Sequence, residues 1–336
     1  MPRDGAAARL PPAEELMRSS QRGVALVLVI WAAILIAVIA SSFMVERRTD
    51  ALVVGNSISI ARAQAAADAG VERAIFEAYR NDNGPDLWRR DGSVHAWSFD
   101  GVPVRVEMRD ESAKIDINVA PDALLLGLFK SVGLNDDEAN ALLDAVLDWR
   151  DADSLKRAHG AEEDDYKAAG LPYRPANAPF QAIEELQLVL GMRPEIYRRI
   201  APSITVFSRQ PGVNPQLATR EVLLAIPSLT PEVVDDYIAR RDDALANGQP
   251  LPTLPAAGIF TTGNSLVVTV HSEARLDDGT YFGREAVALL RPVPRKPVTF
   301  VAWRETTAPP PAPPAEPGAA PPGNVQAVSG SGTPRS

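Results

Sequence analysis

Cysteine is absent from the 336-residue chain, and histidine occurs only three times. Without cysteine the protein has no disulfide, no thiolate zinc site and no cysteine nucleophile. The histidines, His95, His159 and His271, stand in unlike contexts, and no Gly-x-Ser-x-Gly, P-loop, His-Glu-x-x-His or dinucleotide-binding pattern occurs. The sequence therefore predicts a protein that is not an enzyme.

Basic residues are in the minority: 34 Lys and Arg stand against 43 Asp and Glu, which gives a net charge of -9. A duplex nucleic-acid binder needs a basic face that replaces counterions around phosphates, so no nucleic acid is expected as a partner. The hydrophobic share of 46% is enough for two compact domains with cores. Many of the 30 prolines fall in residues 305–336, which we predict to be a disordered, proline-rich tail.

One long apolar run stands out near the N-terminus. Residues 24–45 read VALVLVIWAAILIAVIASSFMV and carry no charge. As a helix this run is roughly 33 Å long, enough to cross a hydrocarbon core. A cleaved secretory signal would have a shorter apolar core, whereas a plain single-pass anchor fits the run. Gln21, Arg22 and Gly23 precede it, and a basic residue and a glycine before an unbroken apolar helix resemble the type III leader of pilins and pseudopilins.

The helical pattern continues beyond the apolar run. No proline occurs from residue 24 to residue 83, and the sequence becomes amphipathic with Val71, Ala74 and Ala78 at helical spacing. We predict one transmembrane and spine helix over 24–80, roughly 80 Å long. The alternative is a membrane anchor followed by a separate juxtamembrane helix.

Strand patterns flank a helix-rich middle. Asp100-Gly101 and Asp277-Asp278-Gly279 are hairpin turn signals between alternating segments. We predict the first part of a pilin-like sheet in 81–115, the second part in 258–304, and a helical insertion over 116–257. The fold class is therefore α+β: a long N-terminal helix and an antiparallel sheet, with a large all-helical insertion.

The insertion contains diverged helix–turn–helix units, with turns at Val132-Gly133-Leu134 and Pro227-Ser228-Leu229 and a similar rhythm around Gly191. Helix-hairpin-helix modules bind DNA backbone through turn glycines, which makes a membrane-anchored DNA-binding protein the alternative function. Second glycines are missing here, and carboxylates such as Asp136 and Glu232 beside the turns would repel phosphate. The same hairpins serve as protein-packing units.

Acidic residues crowd two short segments around His159-Gly160-Ala161. Such hard oxygen ligands suit calcium, although the spacing is not that of an EF-hand, because Lys156 stands where that loop requires glycine. A solvated acidic loop is the alternative. As metal ligands we predict Asp151, Asp153, Glu162 and Asp165.

Residues 148–179, DWRDADSLKRAHGAEEDDYKAAGLPYRPANAP, contain DW-x-D-x-D, GAE-x-x-Y and PYRPANAP in this order. This stretch closely resembles the signature of the K subunit, the large minor pseudopilin of bacterial type II secretion systems. The resemblance extends over roughly residues 22–303 and implies calcium binding by the acidic segments. It also implies a function: capping or initiating the periplasmic pseudopilus, within a tip complex for protein export across the outer membrane.

The resemblance implies a defined maturation and set of partners. The leader, 1–23, would be cut between Gly23 and Val24 by the prepilin peptidase, and Val24 would be methylated. The protein would then be a single-pass inner-membrane protein with its body in the periplasm, beside minor pseudopilins of the I and J types and other pseudopilins. Major pilins carry a glutamate at mature position five, where this chain has Leu28; an apolar residue at this assembly position is the pattern of the K-type subunit.

Overall fold

The computed structural model describes residues 13–80, 87–255, 260–261, 263–291 and 296–306. Its first element, α1, is one unbroken helix over Ala13–Tyr79. The absence of proline and the wealth of alanine within it explain its continuity. At 67 residues it is roughly 100 Å long. It begins before the predicted start at residue 24 and includes the last part of the predicted leader, whose first 12 residues lie outside the described ranges.

A five-stranded antiparallel sheet packs on the C-terminal part of α1, in the order β1-β2-β5-β6-β7. Its strands are β1 (Asp91–Phe99), β2 (Val102–Asp110), β5 (Val267–Arg275), β6 (Tyr281–Leu290) and β7 (Val298–Thr306). The two predicted hairpins are present: β1 pairs with β2 around Asp100-Gly101, and β5 pairs with β6 around the turn that ends at Gly279. Both turns need left-handed backbone, which Gly101 (φ 76°) and Gly279 (φ 87°) adopt without strain.

Between β2 and β5 the chain forms a helical insertion. Its helices are α2 (Asp122–Ser131), α3 (Asp136–Arg150), α4 (Glu163–Ala168), α5 (Pro194–Ile200), α6 (Arg220–Leu224) and α7 (Pro231–Ala246). Two short strands, β3 (Ile115–Asp116) and β4 (Ile204–Thr205), pair in parallel. The pairs α2–α3 and α6–α7 match the predicted helix–turn–helix units. The third unit differs, because Ile183–Leu188 forms a 3-10 helix before Gly191.

The molecule has two hydrophobic cores. In the first, alanines and Val71 of α1 contact the buried face of the sheet, including Val104 and Met108 of β2. The second lies within the insertion, around α2, α3 and a group of aromatic side chains. In that group Trp149 stacks on Phe180 with ring centroids 6.1 Å apart, and Tyr166 lies 6.0 Å from Trp149.

Buried carboxylates connect the insertion to the sheet. Asp110, at the end of β2, accepts hydrogen bonds from the backbone N–H groups of Ser112 and Ser265. Glu111 accepts from the hydroxyls of Thr205 in β4 and Thr269 in β5. Because these acceptors are almost fully buried and reach both parts of the chain, they fix where the insertion leaves and re-enters the sheet. The α+β class predicted from the sequence is confirmed.

Candidate assembly helix and metal site

The exposed half of α1 is the first candidate site. Residues Ala25–Met44 are long and apolar enough to cross a membrane, and none of that window is buried within the protein. Leu28, at the predicted assembly position, is 67% exposed. The junction of Gly23 and Val24 lies inside the helix. Cleavage of the peptide bond between these two residues stays a prediction.

Large apolar side chains remain exposed beyond this segment. Leu52, Val53, Val54, Ile58 and Ile60 all have at least half of their surface exposed. Burial begins abruptly at Ala63, which is 0% exposed under the sheet. Since burying one such side chain contributes roughly 1.5–3 kcal/mol, five exposed ones in this short stretch mark a surface that an apolar partner could cover.

The acidic segments form the second candidate site. Asp151 is the C-cap residue that follows α3, and its Oδ1 is buried without a hydrogen-bond partner. Glu162 precedes α4, is only 9% exposed, and also has a buried oxygen, Oε1, without a partner. Buried acceptors without donors are rare, and a cation or a donor from outside the chain would satisfy both oxygens.

Burial and like charge act together on these acids. Burial, followed by repulsion from Asp148, Asp151, Asp153 and Asp165, raises the pKa of Glu162. Burial, followed by repulsion from Asp153, raises the pKa of Asp151. A divalent cation among these carboxylates would lower the pKa of both residues, because it supplies the opposite charge and ligates the unpaired oxygens.

Asp153 and Asp165 differ from these two residues. Asp153 is exposed, and its Oδ1 accepts a hydrogen bond of 2.8 Å from the backbone N–H of Leu155. Asp165 has both oxygens engaged: Oδ1 lies 2.6 Å from Nζ of Lys156, and Oδ2 accepts from the backbone N–H of Glu162 at 2.9 Å. The hydrogen bond from Lys156 is the largest of the effects that lower the pKa of Asp165.

The four predicted ligands are therefore brought into one region and interact electrostatically. Within the described part of the chain, however, no three Asp, Glu or His side chains already converge as a metal-holding group. The donor set is one that calcium prefers, and closing it around an ion requires these side chains to rearrange.

Asn177 also contacts this site, which the sequence did not predict. This residue adopts a positive φ of 47°, and its Nδ2 donates to the backbone carbonyl of Asp153 at 2.7 Å. Its Oδ1 is buried without a partner, like the orphan oxygens of Asp151 and Glu162. The PYRPANAP segment, part of the signature that carries the resemblance, thus contacts the acidic segment and brings a third unsatisfied oxygen.

Asp148 holds the acidic segment that follows α3 in place. It is fully buried, and both carboxylate oxygens accept from the backbone N–H of Arg157 at 3.3 Å. Gly160 packs directly on it, because a Cβ at that position would lie 1.9 Å from Oδ2. The two acidic segments are thus held against each other through a glycine that no larger residue can replace without displacing Asp148.

The helix-hairpin turns are lined by ion pairs. Glu138 caps the start of α3 by bonding Asn135, and it lies 3.3 Å from Arg193. In the second unit Arg220 lies 2.6 Å from Asp235. Glu138 and Asp235, which lie beside the same turns as Asp136 and Glu232, thus bind arginines of neighbouring elements, which is the behaviour of packing units.

The sequence is similar to a known family and to several of its members. Residues 108–212 match the family described as type II secretion system (T2SS), protein K. A type II secretion system protein K of Pectobacterium carotovorum is 29% identical over 56% of this chain and 63% of its own length, just under two thirds. Its counterpart in Pseudomonas aeruginosa is 24% identical over 67% of this chain and 74% of its own length.

The fold also has a counterpart among solved structures. It matches a chain in the crystal structure of the GspK-GspI-GspJ complex from the type 2 secretion system of enterotoxigenic Escherichia coli. The TM-score is 0.53 at 14% sequence identity, and the match covers 78% of this chain and all of the other. At this identity the likeness concerns the fold: a helix under an antiparallel sheet with a helical insertion.

Proposed function

We propose that the chain, whose residues 108–212 match the protein K family of the type II secretion system, is a minor pseudopilin that caps or initiates the periplasmic pseudopilus for protein export. The observation that carries this function is the division of α1. Its apolar N-terminal part is exposed, whereas its C-terminal part is buried under the sheet. A rod divided in this way offers one surface to the bilayer and to the helices of sister subunits.

The position of the insertion supports capping. Glu77 and Ala78, near the C-terminal end of α1, line one pocket together with Gln216 and Leu245 of the insertion. The insertion therefore lies at the end of α1 opposite to the apolar segment. Because a further subunit would need that space in order to stack above, the subunit occupies the tip of the filament, with minor pseudopilins of the I and J types and other pseudopilins beside and below it.

Maturation follows from the N-terminal residues. The prepilin peptidase cuts between Gly23 and Val24, and the new N-terminus at Val24 is methylated in the inner membrane. Leu28 then stands where a carboxylate would neutralise a neighbour's N-terminal ammonium. A buried carboxylate without a partner charge is costly, so an apolar residue suits a tip subunit that has no neighbour above it.

Calcium belongs to the same proposal. Asp151, Glu162 and Asn177 supply the oxygens that lack a partner, and Asp153 and Asp165 supply further carboxylates. The ion would neutralise the mutual repulsion of these acids and hold together the two segments that follow α3. Its role here is structural, since it would stabilise the insertion on which capping depends.

Assembly is tested by coexpression with the I- and J-type pseudopilins of the same organism. The double variant Val54→Asp, Ile58→Asp is expected to leave the thermal stability of the isolated chain unchanged, because both side chains are exposed. It is expected to abolish copurification with the partners. Leu188→Asp is the control, since Leu188 is an exposed apolar residue of the insertion. Copurification of the double variant at the wild-type level would contradict the proposal.

Processing is tested by mass spectrometry of the N-terminus from membranes that contain the prepilin peptidase. The expected mature chain begins at methylated Val24. Gly23→Leu is expected to retain the leader, whereas Gly55→Leu, a change at a glycine of the same helix with nothing near it, is processed normally. A wild-type chain that keeps residues 1–23 would indicate a plain anchored protein.

Calcium binding is tested on the chelator-treated full chain in detergent. Saturating calcium is expected to raise Tm by about 5 °C, the effect of a ligand well above its Kd on a domain of this size. Glu162→Gln is expected to remove the shift. Glu195→Gln, a change at an exposed acid of α5, is expected to retain it. Equal shifts in wild type and Glu162→Gln would exclude this site, and no shift in any protein would exclude calcium.

A further inference from the structure

A pocket of about 310 Å³ lies where the insertion meets the end of the sheet. Its wall comes from the loop after β4, the start of β5, the end of β6, and β7. We call it the Arg209 pocket, after the residue that borders it on the insertion side. It is separate from the exposed half of α1 and from the acidic segments, whose residues do not line it.

Two arginines line the Arg209 pocket without a carboxylate partner. Arg209 and Arg291 are exposed, and neither side chain makes a hydrogen bond or an ion pair within the described chain. No carboxylate occurs among the described lining residues. Elsewhere most arginines of the sheet and insertion bind acids or carbonyls, as Arg284 and Arg220 do. Two guanidinium groups at one pocket therefore form a site for an anion from outside the chain.

The backbone around Arg209 is held in an unfavourable conformation. Its φ is 54°, in the left-handed region that a residue with a Cβ rarely adopts. The buried carboxylate of Asp116 accepts hydrogen bonds from the Arg209 N–H at 2.7 Å and from the Ser208 hydroxyl at 3.2 Å, which fixes this conformation. Backbone strain maintained by a buried group is a feature of functional sites, where it positions a side chain.

The apolar wall shows a second irregularity. Val301 is the extra residue of a β-bulge in β7, since Val287 pairs with Ala302 and the next residue, Ala288, pairs with Phe300. Bulges redirect a side chain, and Val301 lines the pocket while 45% exposed. Leu266 lines it too and is 57% exposed. Two large apolar side chains thus remain in solvent beside two unpaired cations.

From this combination we propose that the Arg209 pocket binds a peptide segment in which an apolar side chain adjoins a carboxylate. The apolar side chain would cover Leu266 and Val301, and the carboxylate would accept hydrogen bonds from Arg209 and Arg291. A peptide is favoured over a free anion because the wall is apolar. In addition, β7 is an outer strand of the sheet, whose outer backbone groups an extended segment can bond. Such a segment belongs to a protein that meets the membrane-distal end of the subunit.

The test measures binding of three capped tetrapeptides to the full chain in detergent, by saturation-transfer NMR. The probes are Gly-Leu-Asp-Gly, Gly-Leu-Asn-Gly without the charge, and Gly-Gly-Asp-Gly without the apolar side chain. The first is expected to bind, and the other two to bind about tenfold more weakly, the loss expected when a charge-assisted hydrogen bond or an apolar contact is removed.

Variants locate the binding. Arg209→Gln and Arg291→Gln are expected to weaken binding of Gly-Leu-Asp-Gly about tenfold while Tm stays unchanged, since neither side chain has a partner to lose. Arg105→Gln, a change at an exposed arginine of β2 outside the pocket, is the control and should bind normally.

Three results would overturn the proposal: no binding of any probe, equal binding of all three probes, or wild-type binding by both pocket variants. The assay uses the subunit alone, so its outcome does not depend on whether the protein assembles with pseudopilins.

Discussion

The two halves of α1 belong to one helix but expose opposite kinds of side chain. The half that extends to Ile60 exposes leucine, isoleucine and valine, whereas the half that begins at Ala63 buries mainly alanine. Small residues let the helix axis approach the sheet, and their side chains are covered within the subunit. The large apolar side chains before Ile60 have no such cover within the subunit. Side-chain size along one helix therefore separates the residues that pack under the sheet from the residues that stay exposed.

The space around two glycines of α1, Gly70 and Gly55, shows the same difference between its buried and exposed parts. A Cβ at Gly70 would lie 2.2 Å from Oγ of Ser272 and 2.8 Å from Cγ1 of Val104, whereas nothing lies within 4 Å of a Cβ at Gly55. The sheet therefore packs directly on the backbone at Gly70. At Gly55 the space is open for a neighbouring helix.

The largest effect is expected from filling these two positions. Gly70→Leu should destabilise the subunit by about 3 kcal/mol, because overpacking forces the sheet away from the helix. Gly55→Leu should stabilise it by up to about 1 kcal/mol through helix propensity. Urea unfolding of the full chain in detergent, followed by tryptophan fluorescence, measures both. Equal losses at the two positions would mean that the halves do not differ as described.

A smaller effect is expected at the ion pair that joins the buried half to the sheet. Nε of Arg284 lies 2.6 Å from Asp68, and the arginine side chain is only 8% exposed. Asp68→Asn should cost about 1–2 kcal/mol, since it leaves a largely buried guanidinium without its counter-charge while Asp68 itself is partly in solvent.

The matched control is Asp236→Asn, which removes an exposed pair with Arg240 at 2.7 Å within α7. Its expected cost is below about 0.5 kcal/mol. The same unfolding assay compares the two variants. Should the exposed pair contribute as much as the one with Arg284, burial would not be the property that separates the two regions.

Local sequence signals predicted much of the fold. The apolar run and the proline-free segment predicted α1, and the turn residues at 100–101 and 277–279 predicted both hairpins, because helix continuity and tight turns depend on neighbouring residues. The start of α1 at Ala13 was not predicted, since the sequence before residue 24 was interpreted as a leader. The predicted tail, 305–336, starts two residues too early, since β7 continues to Thr306; its remaining residues, 307–336, lie outside the described ranges.

Long-range features escaped prediction. The pairing of β2 with β5 joins residues on either side of the whole insertion, and the parallel pair β3–β4 is two residues long. Nothing in such short or distant segments specifies a partner. At the acidic site, charge composition predicted the carboxylates. The orphan oxygen of Asn177 could not be predicted, because it depends on a loop that folds back onto Asp153.

The smallest expected effect concerns the outermost contact between α1 and the sheet, where the exposed half ends. Asp278, in the turn between β5 and β6, accepts hydrogen bonds from the Ser59 hydroxyl at 2.6 Å and the Thr280 N–H at 2.8 Å. The bond from Ser59 is the largest of the effects that lower its pKa, from 3.8 to about 2.

Because the folded protein lowers this pKa, the charged form of Asp278 contributes stability that is present above pH 3.8 and lost as the pH falls toward 2. The difference in unfolding free energy between wild type and Asp278→Asn should therefore shrink as the pH falls through this window. A difference for Asp278→Asn that persists undiminished to pH 2 would show that this contact does not depend on the charge. If Asp278→Asn instead matched the wild type at every pH, the contact at Ser59 would contribute nothing, and the sheet would hold α1 only from Ala63, its first buried alanine, onward.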